Sequence, residues 1–152
     1  LATPLQMALV AARLAADGAV PGPTFVRGQT PAVGPVDLPF SPVHMAWIRE
    51  ALHQVVDRGT GRAAQRAGVA VAGKTGTAQN SHGEDHAWFM CFAPVQDPEV
   101  AVAVILENAG GGGALAAPVA GEWLRRYFAL RSQQRPETAA VMSPDDAPGG
   151  TR

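Results

Sequence analysis

The residues best suited to chemistry are Lys74, Thr75, Gly76 and Thr77, which follow the apolar run 69–72 and Gly73. Lys74 is the only lysine among the 12 lysines and arginines of the chain. An ammonium is a compact point charge, whereas a guanidinium is a rigid fork, so the lone lysine indicates a position that uses a point charge. The two hydroxyls can donate hydrogen bonds, and glycine lets a ligand backbone approach closely. Together these groups are suited to binding a carboxylate.

The same segment also matches the pattern of a phosphate-binding loop. Residues 68–75 read Gly-x-x-x-x-Gly-Lys-Thr. Such a loop needs a flexible interior and a helix after it, because the phosphate binds at the helix N-terminus. Here the interior is Val-Ala-Val-Ala, which favours a strand, and residues 76–83 cannot begin a stable helix. We therefore reject a nucleotide site.

Lys-Thr-Gly at the end of a strand is instead the third signature motif of the active-site serine enzymes that recognise penicillin. The edge of such a strand can pair with an extended peptide. In this interpretation Lys74 is catalytic, and the substrate-binding residues are Thr75, Gly76 and Thr77. The alternative is an ordinary strand-to-turn boundary with a surface lysine.

Three helices are predicted from their caps and apolar spacing. Thr3-Pro4 and Ser41-Pro42 are typical N-cap and first-turn pairs. Tryptophans fall in the periodic apolar patterns, and Trp47, Trp88 and Trp123 are predicted to be core residues. The last helix carries Val119, Trp123, Tyr127 and Leu130, and a short helical piece is predicted at 62–67.

Three consecutive strands are predicted between the helices, at 69–74, 86–93 and 100–107. Three strands in a row favour an antiparallel meander and an α+β fold. Both faces of the second strand are apolar, so helices are expected on both sides of the sheet. The run Gly110–Gly113 is interpreted as a loose linker, and His86 as a histidine at a strand start outside the site.

Composition excludes several other classes of protein. The net charge of −1 gives no electrostatic footprint for nucleic acid. No apolar run approaches the about 20 residues of a membrane-spanning helix. The histidines show no metal-ligand spacing, so neither a metal nor another cofactor is expected. The single cysteine, Cys91, is interpreted as a small buried hydrophobe.

Several blocks together resemble the C-terminal part of the transpeptidase domain of penicillin-binding protein 2, in the class B family. They are Thr3-Pro-Leu-Gln-Met-Ala8, Ala72-Gly-Lys-Thr-Gly-Thr-Ala-Gln79, His86-Ala-Trp-Phe-Met-Cys-Phe-Ala-Pro94 and residues 99–108 with Ala117-Pro118. The resemblance covers residues 1–130 and implies the C-terminal portion of a serine β-lactamase-like fold, an antiparallel sheet covered by helices. Residues 131–152 are predicted to be a disordered tail.

Two motifs of that family are absent from the sequence. No serine lies three residues before Lys74, so the Ser-x-x-Lys nucleophile motif cannot form. None of Ser41, Ser81, Ser132 and Ser143 is followed two residues later by asparagine, so Ser-x-Asn is missing as well. The chain also opens at Leu1 without a methionine. We expect a segment that carries one wall of an active site and is inactive without the upstream half of its domain.

The resemblance implies a peptidoglycan D,D-transpeptidase that cross-links stem peptides during cell-wall elongation and binds β-lactams. The implied partners are a stem peptide ending in D-Ala-D-Ala, the upstream half of the domain and proteins of the elongation machinery. The implied location is the periplasmic face of the bacterial inner membrane, with an anchor helix upstream. The alternatives are a β-lactamase or D,D-carboxypeptidase relative, or a non-catalytic module that binds penicillin or a protein partner.

Overall fold

Three consecutive strands lie between helices, as the sequence predicts for an α+β fold. The structure is a computed structural model and describes residues 2–134, apart from the side chain of Arg66. In chain order the elements are α1 (Pro4–Ala15), α2 (Pro42–Asp57), a 3₁₀ helix (Arg62–Ala67), β1 (Ala72–Ala78), β2 (His86–Ala93), β3 (Val100–Leu106) and α3 (Ala116–Gln134).

The sheet is an antiparallel meander with the strand order β1-β2-β3. Lys74 pairs with Met90, and Thr75 pairs with Phe89. Because side chains alternate along a strand, Lys74 and Gly76 share a face with Trp88 and Met90. Thr75 and Thr77 lie on the opposite face. The predicted antiparallel arrangement is confirmed.

The face that carries Phe89 and Cys91 is buried under α2, the 3₁₀ helix and α3. Its core consists mainly of small side chains, with Val56 of α2 and Leu124 of α3 as larger members. A Cβ on Gly121 would lie 2.9 Å from the Cα of Ala64, so α3 and the 3₁₀ helix pack backbone to backbone. Small residues permit this approach, and they place α3 directly behind the sheet.

The other face of the sheet is covered by α1. The helix begins with a capping box, in which Thr3 and Gln6 satisfy each other's backbone N–H groups. Ala11 is buried, and an ion pair between Arg49 and Asp17 joins α2 to the end of α1. Helices therefore lie on both faces of the sheet, which confirms the expectation drawn from the apolar pattern of β2.

The predicted bounds of β1 are wrong. The strand was expected at 69–74 but runs from Ala72 to Ala78. Residues before it are engaged elsewhere, because the carbonyl of Ala70 accepts the Val95 N–H at 3.0 Å and that of Val71 lies 3.0 Å from His53 Nδ1. The β-branched Thr75 and Thr77 suit a strand. The Lys-Thr-Gly motif therefore lies inside a strand rather than at its end.

Two tryptophans predicted to be in the core are exposed. Trp47 is 66% exposed and Trp123 is 46% exposed, whereas Trp88 is half-buried. The buried face of α2 carries Met45 and Val56. The buried face of α3 is formed by Ala116, Ala117, Ala120, Gly121 and Leu124. Apolar spacing predicted an apolar stripe on each helix but not the face that packs on the sheet, and in α3 that face consists mostly of small side chains.

The end of α3 also differs from the prediction. The helix continues to Gln134, four residues past the predicted boundary at 130. The rest of the predicted tail, 135–152, lies outside the described residues. Within residues 2–134, no helix is both long and apolar enough to cross a membrane.

The burial of Cys91, the only cysteine, predicts low reactivity of its thiol. Desolvation raises the pKa of the Cys91 thiol to about 12. Only the thiolate reacts with disulfide reagents, so at about pH 8 the folded chain should not react with Ellman's reagent. One thiol should become reactive on unfolding in urea. Immediate reaction of the folded chain would show that β2 is not packed as described.

Candidate active site

Lys74, Thr75, Gly76 and Thr77 all line one cavity of about 780 Å³. They form its wall on the β1 side. The remaining lining comes from α1, β2, the segment after β1 and the end of β3, and includes Met7, His86, Trp88, Met90, Ile105 and Glu107. The structure therefore brings all four sequence-predicted residues together beside one open space.

Lys74 presents its ammonium at this cavity. The residue is exposed, and its Nζ donates to the carbonyl of Thr75 at 2.7 Å. Among residues 2–134, no carboxylate lies within 4.0 Å of Nζ. An ammonium has three N–H donors, so two remain for other groups. A positive charge that is not neutralised locally suits an anionic ligand.

The hydroxyl of Thr75 is held by a second threonine. Its Oγ1 lies 2.7 Å from the Oγ1 of Thr60, in the loop between α2 and the 3₁₀ helix. Thr75 is half-buried, whereas Thr77, two residues further along the same strand, is exposed. The sequence analysis did not identify Thr60. The contact joins a loop and a strand 15 residues apart, and no sequence motif indicates such a contact.

The outer edge of β1 is available within the described residues. In the three-stranded sheet, β1 pairs only with β2. An edge strand has unpaired backbone N–H and C=O groups that can bind an extended peptide. A Cβ on Gly76 would meet only one atom within 4 Å, the Cβ of Trp88 at 3.2 Å. The space beside this glycine is therefore largely left open by the protein itself.

The glycine run before α3 is part of the site's support, and its interpretation as a loose linker is wrong. Gly112 is buried. A Cβ at this position would lie 2.2 Å from the Trp88 carbonyl oxygen and 2.3 Å from that of Gly76. A Cβ on Gly113 would lie 2.4 Å from the Thr60 carbonyl oxygen. The run thus packs against the backbone of β1 and of the Thr60 loop.

His86 also lines the cavity, although it was placed outside the site. Its Nδ1 accepts the backbone N–H of Asn108 at 3.0 Å, so the neutral ring carries its proton on Nε2. Asn80 in turn donates to the Asn108 side chain at 2.6 Å. The signal that could have found His86 is the alternation in β2, which places it on the face of Trp88 and Met90.

Between residues 2 and 134, no three His, Cys, Asp or Glu side chains come together as ligands of one ion. The cavity is lined by an ammonium, hydroxyls, a strand edge, an imidazole and the carboxylate of Glu107.

Comparison with known proteins identifies the family. Residues 1–125 match the penicillin binding protein transpeptidase domain. The chain belongs to this family. The resemblance to penicillin-binding protein 2 that was drawn from the Lys74–Thr77 and His86–Pro94 blocks is confirmed, since relatives and solved structures of this group match most of the chain.

Two curated relatives show the extent of the match. Peptidoglycan D,D-transpeptidase MrdA of Haemophilus influenzae is 38% identical over 160 residues, covering 88% of this chain and 25% of MrdA. Peptidoglycan D,D-transpeptidase PbpA of Mycolicibacterium smegmatis is 41% identical over 137 residues, covering 77% of this chain and 27% of PbpA. The chain thus spans about a quarter of the length of these relatives.

A solved structure supports the same fold. The crystal structure of Pseudomonas aeruginosa PBP2 in complex with WCK 5153 superposes with a TM-score of 0.69 at 37% identity. The match covers 83% of this chain and 29% of that chain. The described helices and three-stranded sheet therefore correspond to part of a penicillin-binding transpeptidase domain.

The packing of Gly112 against the backbone of Gly76 and Trp88 predicts that alanine destabilises the fold much more at Gly112 than at the adjacent Gly111. Gly112→Ala places a methyl group against backbone oxygens and should lower the free energy of unfolding by about 1 to 3 kcal/mol. Gly111→Ala is the matched control, because a Cβ there meets nothing within 4 Å. Urea unfolding measures both variants, and amide chemical shifts at Gly76 and Trp88 should move only in Gly112→Ala. Equal stabilities would contradict the packing described here.

Proposed function

We propose that this chain forms one wall of the active site of a peptidoglycan D,D-transpeptidase of the penicillin-binding protein 2 type. The observation that carries the proposal is the convergence of Lys74, Thr75, Gly76 and Thr77 on one cavity at an edge strand. The names of the relatives MrdA and PbpA support the reaction class. The nucleophile comes from a segment outside these 152 residues, since no Ser-x-x-Lys motif is present.

The substrate is a stem peptide ending in D-Ala-D-Ala, bound as an extra strand along the outer edge of β1. Its terminal carboxylate is bound by the hydroxyls of Thr75 and Thr77 and by the positive charge of Lys74. Gly76 leaves room for the peptide backbone to approach β1. A β-lactam places its own carboxylate and acyl group at the same positions, which accounts for penicillin binding.

The reaction is an acyl transfer in two steps. The serine of the nucleophile-bearing segment attacks the carbonyl of the penultimate D-Ala, the terminal D-Ala leaves, and an amine of a neighbouring strand resolves the acyl-enzyme. Lys74 assists the proton network of the nucleophile. The backbone N–H of Thr77 forms half of the oxyanion hole, a donor of a kind typically worth about 3 to 4 kcal/mol of barrier.

The proposed reaction takes place in the bacterial cell wall. The proposed location is the periplasmic face of the bacterial inner membrane, with an anchor helix in a segment outside this chain. Proteins of the elongation machinery are further proposed partners. The upstream part of the same domain is the closest partner, because it must complete the cavity with the nucleophile.

Labelling with a fluorescent penicillin tests the proposal. The 152-residue chain alone should remain unlabelled, since it lacks the nucleophile. The complete domain, in which this chain is joined to the nucleophile-bearing segment, should form a stable acyl-enzyme visible on a denaturing gel. A complete, folded domain that stays unlabelled would overturn the proposed function. Rapid loss of the label would indicate a β-lactamase instead of a transpeptidase.

Substitution of Lys74 tests its role in the complete domain. Lys74→Ala should slow acylation about 100-fold or more, because it removes a group that acts on the proton network and on the carboxylate. Lys74→Arg should not restore the rate, because a guanidinium is a planar fork that is always charged. Arg58→Ala is the control, since Arg58 is an exposed cation that does not line the cavity. An unchanged acylation rate in Lys74→Ala would exclude the proposed role.

A further inference from the structure

Thr60 lies beside the candidate site although it is 15 residues from Thr75 in the chain. The two Oγ1 atoms are 2.7 Å apart, a usual length for a hydrogen bond between hydroxyls. Thr60 belongs to the short loop between the end of α2 and the 3₁₀ helix. The contact therefore joins this loop to the strand that carries the proposed carboxylate-binding hydroxyl.

The loop around Thr60 is held by other parts of the fold, independently of β1. The Gly61 N–H donates to the Val55 carbonyl at the end of α2, at 2.9 Å. A Cβ on Gly61 would lie 3.2 Å from the ring of Phe89, and one on Gly113 would lie 2.4 Å from the Thr60 carbonyl oxygen. The Thr60 hydroxyl is therefore presented to β1 from a backbone packed against α2, the core and the loop before α3.

The direction of this hydrogen bond determines what Thr75 can do. A threonine hydroxyl has one proton and can also accept hydrogen bonds. When Thr60 donates to Thr75, the Thr75 proton remains free to donate to a ligand at the outer edge of β1. When Thr75 donates to Thr60, its oxygen can only accept and offers nothing to an anion. A carboxylate ligand therefore selects the first arrangement, because its bond from Thr75 is charge-assisted.

We propose that Thr60 is a positioning residue, which fixes the rotamer of Thr75 and leaves the Thr75 hydroxyl free to donate to the ligand carboxylate. This inference rests on the proposed function, since it requires a carboxylate at Thr75. Thr60 acts through Thr75 and does not touch the ligand. Its loss is therefore expected to weaken recognition of the carboxylate without slowing the covalent step.

The first experiment examines the side chain of Thr75 in the 152-residue chain itself. Three-bond couplings from the Thr75 methyl carbon to the backbone nitrogen and carbonyl report its χ1 rotamer. We expect one rotamer in the wild type and in Thr60→Ser, and rotamer averaging in Thr60→Val. Thr30→Val, in the exposed connector, is the control. A single unchanged rotamer in Thr60→Val would overturn the positioning role.

The second experiment compares benzylpenicillin with its methyl ester on the complete domain. Thr60→Val should raise the dissociation constant of the acid roughly 3- to 10-fold, the range expected for one lost hydrogen bond. The acylation rate constant at saturation should stay within about twofold of the wild type, because the covalent step is intact. The ester lacks the charged carboxylate, so its kinetics should be the same in the wild type and Thr60→Val.

The outcomes separate this inference from the proposed function. Equal losses for acid and ester, or no loss for either, would overturn the role of Thr60 while leaving the transpeptidase proposal intact. If Thr60→Ser binds the acid as tightly as the wild type does, the result supports the hydroxyl of Thr60 as the group that positions Thr75. A wild-type domain that reacts with neither compound would overturn the proposed function, and the rotamer measurement would then decide by itself whether Thr60 fixes the rotamer of Thr75.

Discussion

Backbone pairing between β1 and β2 is the constraint on which the candidate site depends. The register Lys74↔Met90 and Thr75↔Phe89 assigns the ammonium and the Thr75 hydroxyl to opposite faces of the strand. A shift by one residue would exchange these faces and direct Lys74 toward the core. Such a shift is opposed because it would bury the charged side chain of Lys74 against the apolar side chains of Phe89 and Cys91. The chemistry of the cavity wall is thus held in place by the core behind it.

Small residues allow the elements behind the sheet to pack closely against it. Gly112 lies against the backbone of Gly76, and Gly121 lies against the backbone of Ala64. Interiors packed this closely have little space for local rearrangement. In consequence, β1 is backed by α2 and by the loop before α3, while its outer edge remains available to a ligand. A wall that is supported on one side and open on the other suits a site that must hold donors in place before the substrate arrives.

Local patterns predicted much of the fold because the responsible interactions are local. Thr3 and Ser41 cap their helices through bonds to residues three positions away. The alternation in β2 predicted His86–Ala93 with the observed bounds. The prediction failed for Trp47 and Trp123, because helical spacing shows a stripe but does not show its partner. It also failed for the start of β1, where the carbonyls of residues 70 and 71 bind a loop and a helix instead of a neighbouring strand.

The sequence by itself determined the order of elements, the α+β class, the family and the four residues of the Lys-Thr-Gly-Thr segment. These follow from caps, alternation and contiguous motifs, which act over a few residues. Only the tertiary structure decided that Thr60 meets Thr75, that Gly112 lies behind Gly76 and that His86 faces the cavity. Thr60–Thr75 and Gly112–Gly76 are contacts between segments that are separate in the chain. His86 depends on which face of β2 is left open when α3 packs on the other, and helix packing is decided only when all the elements are in place.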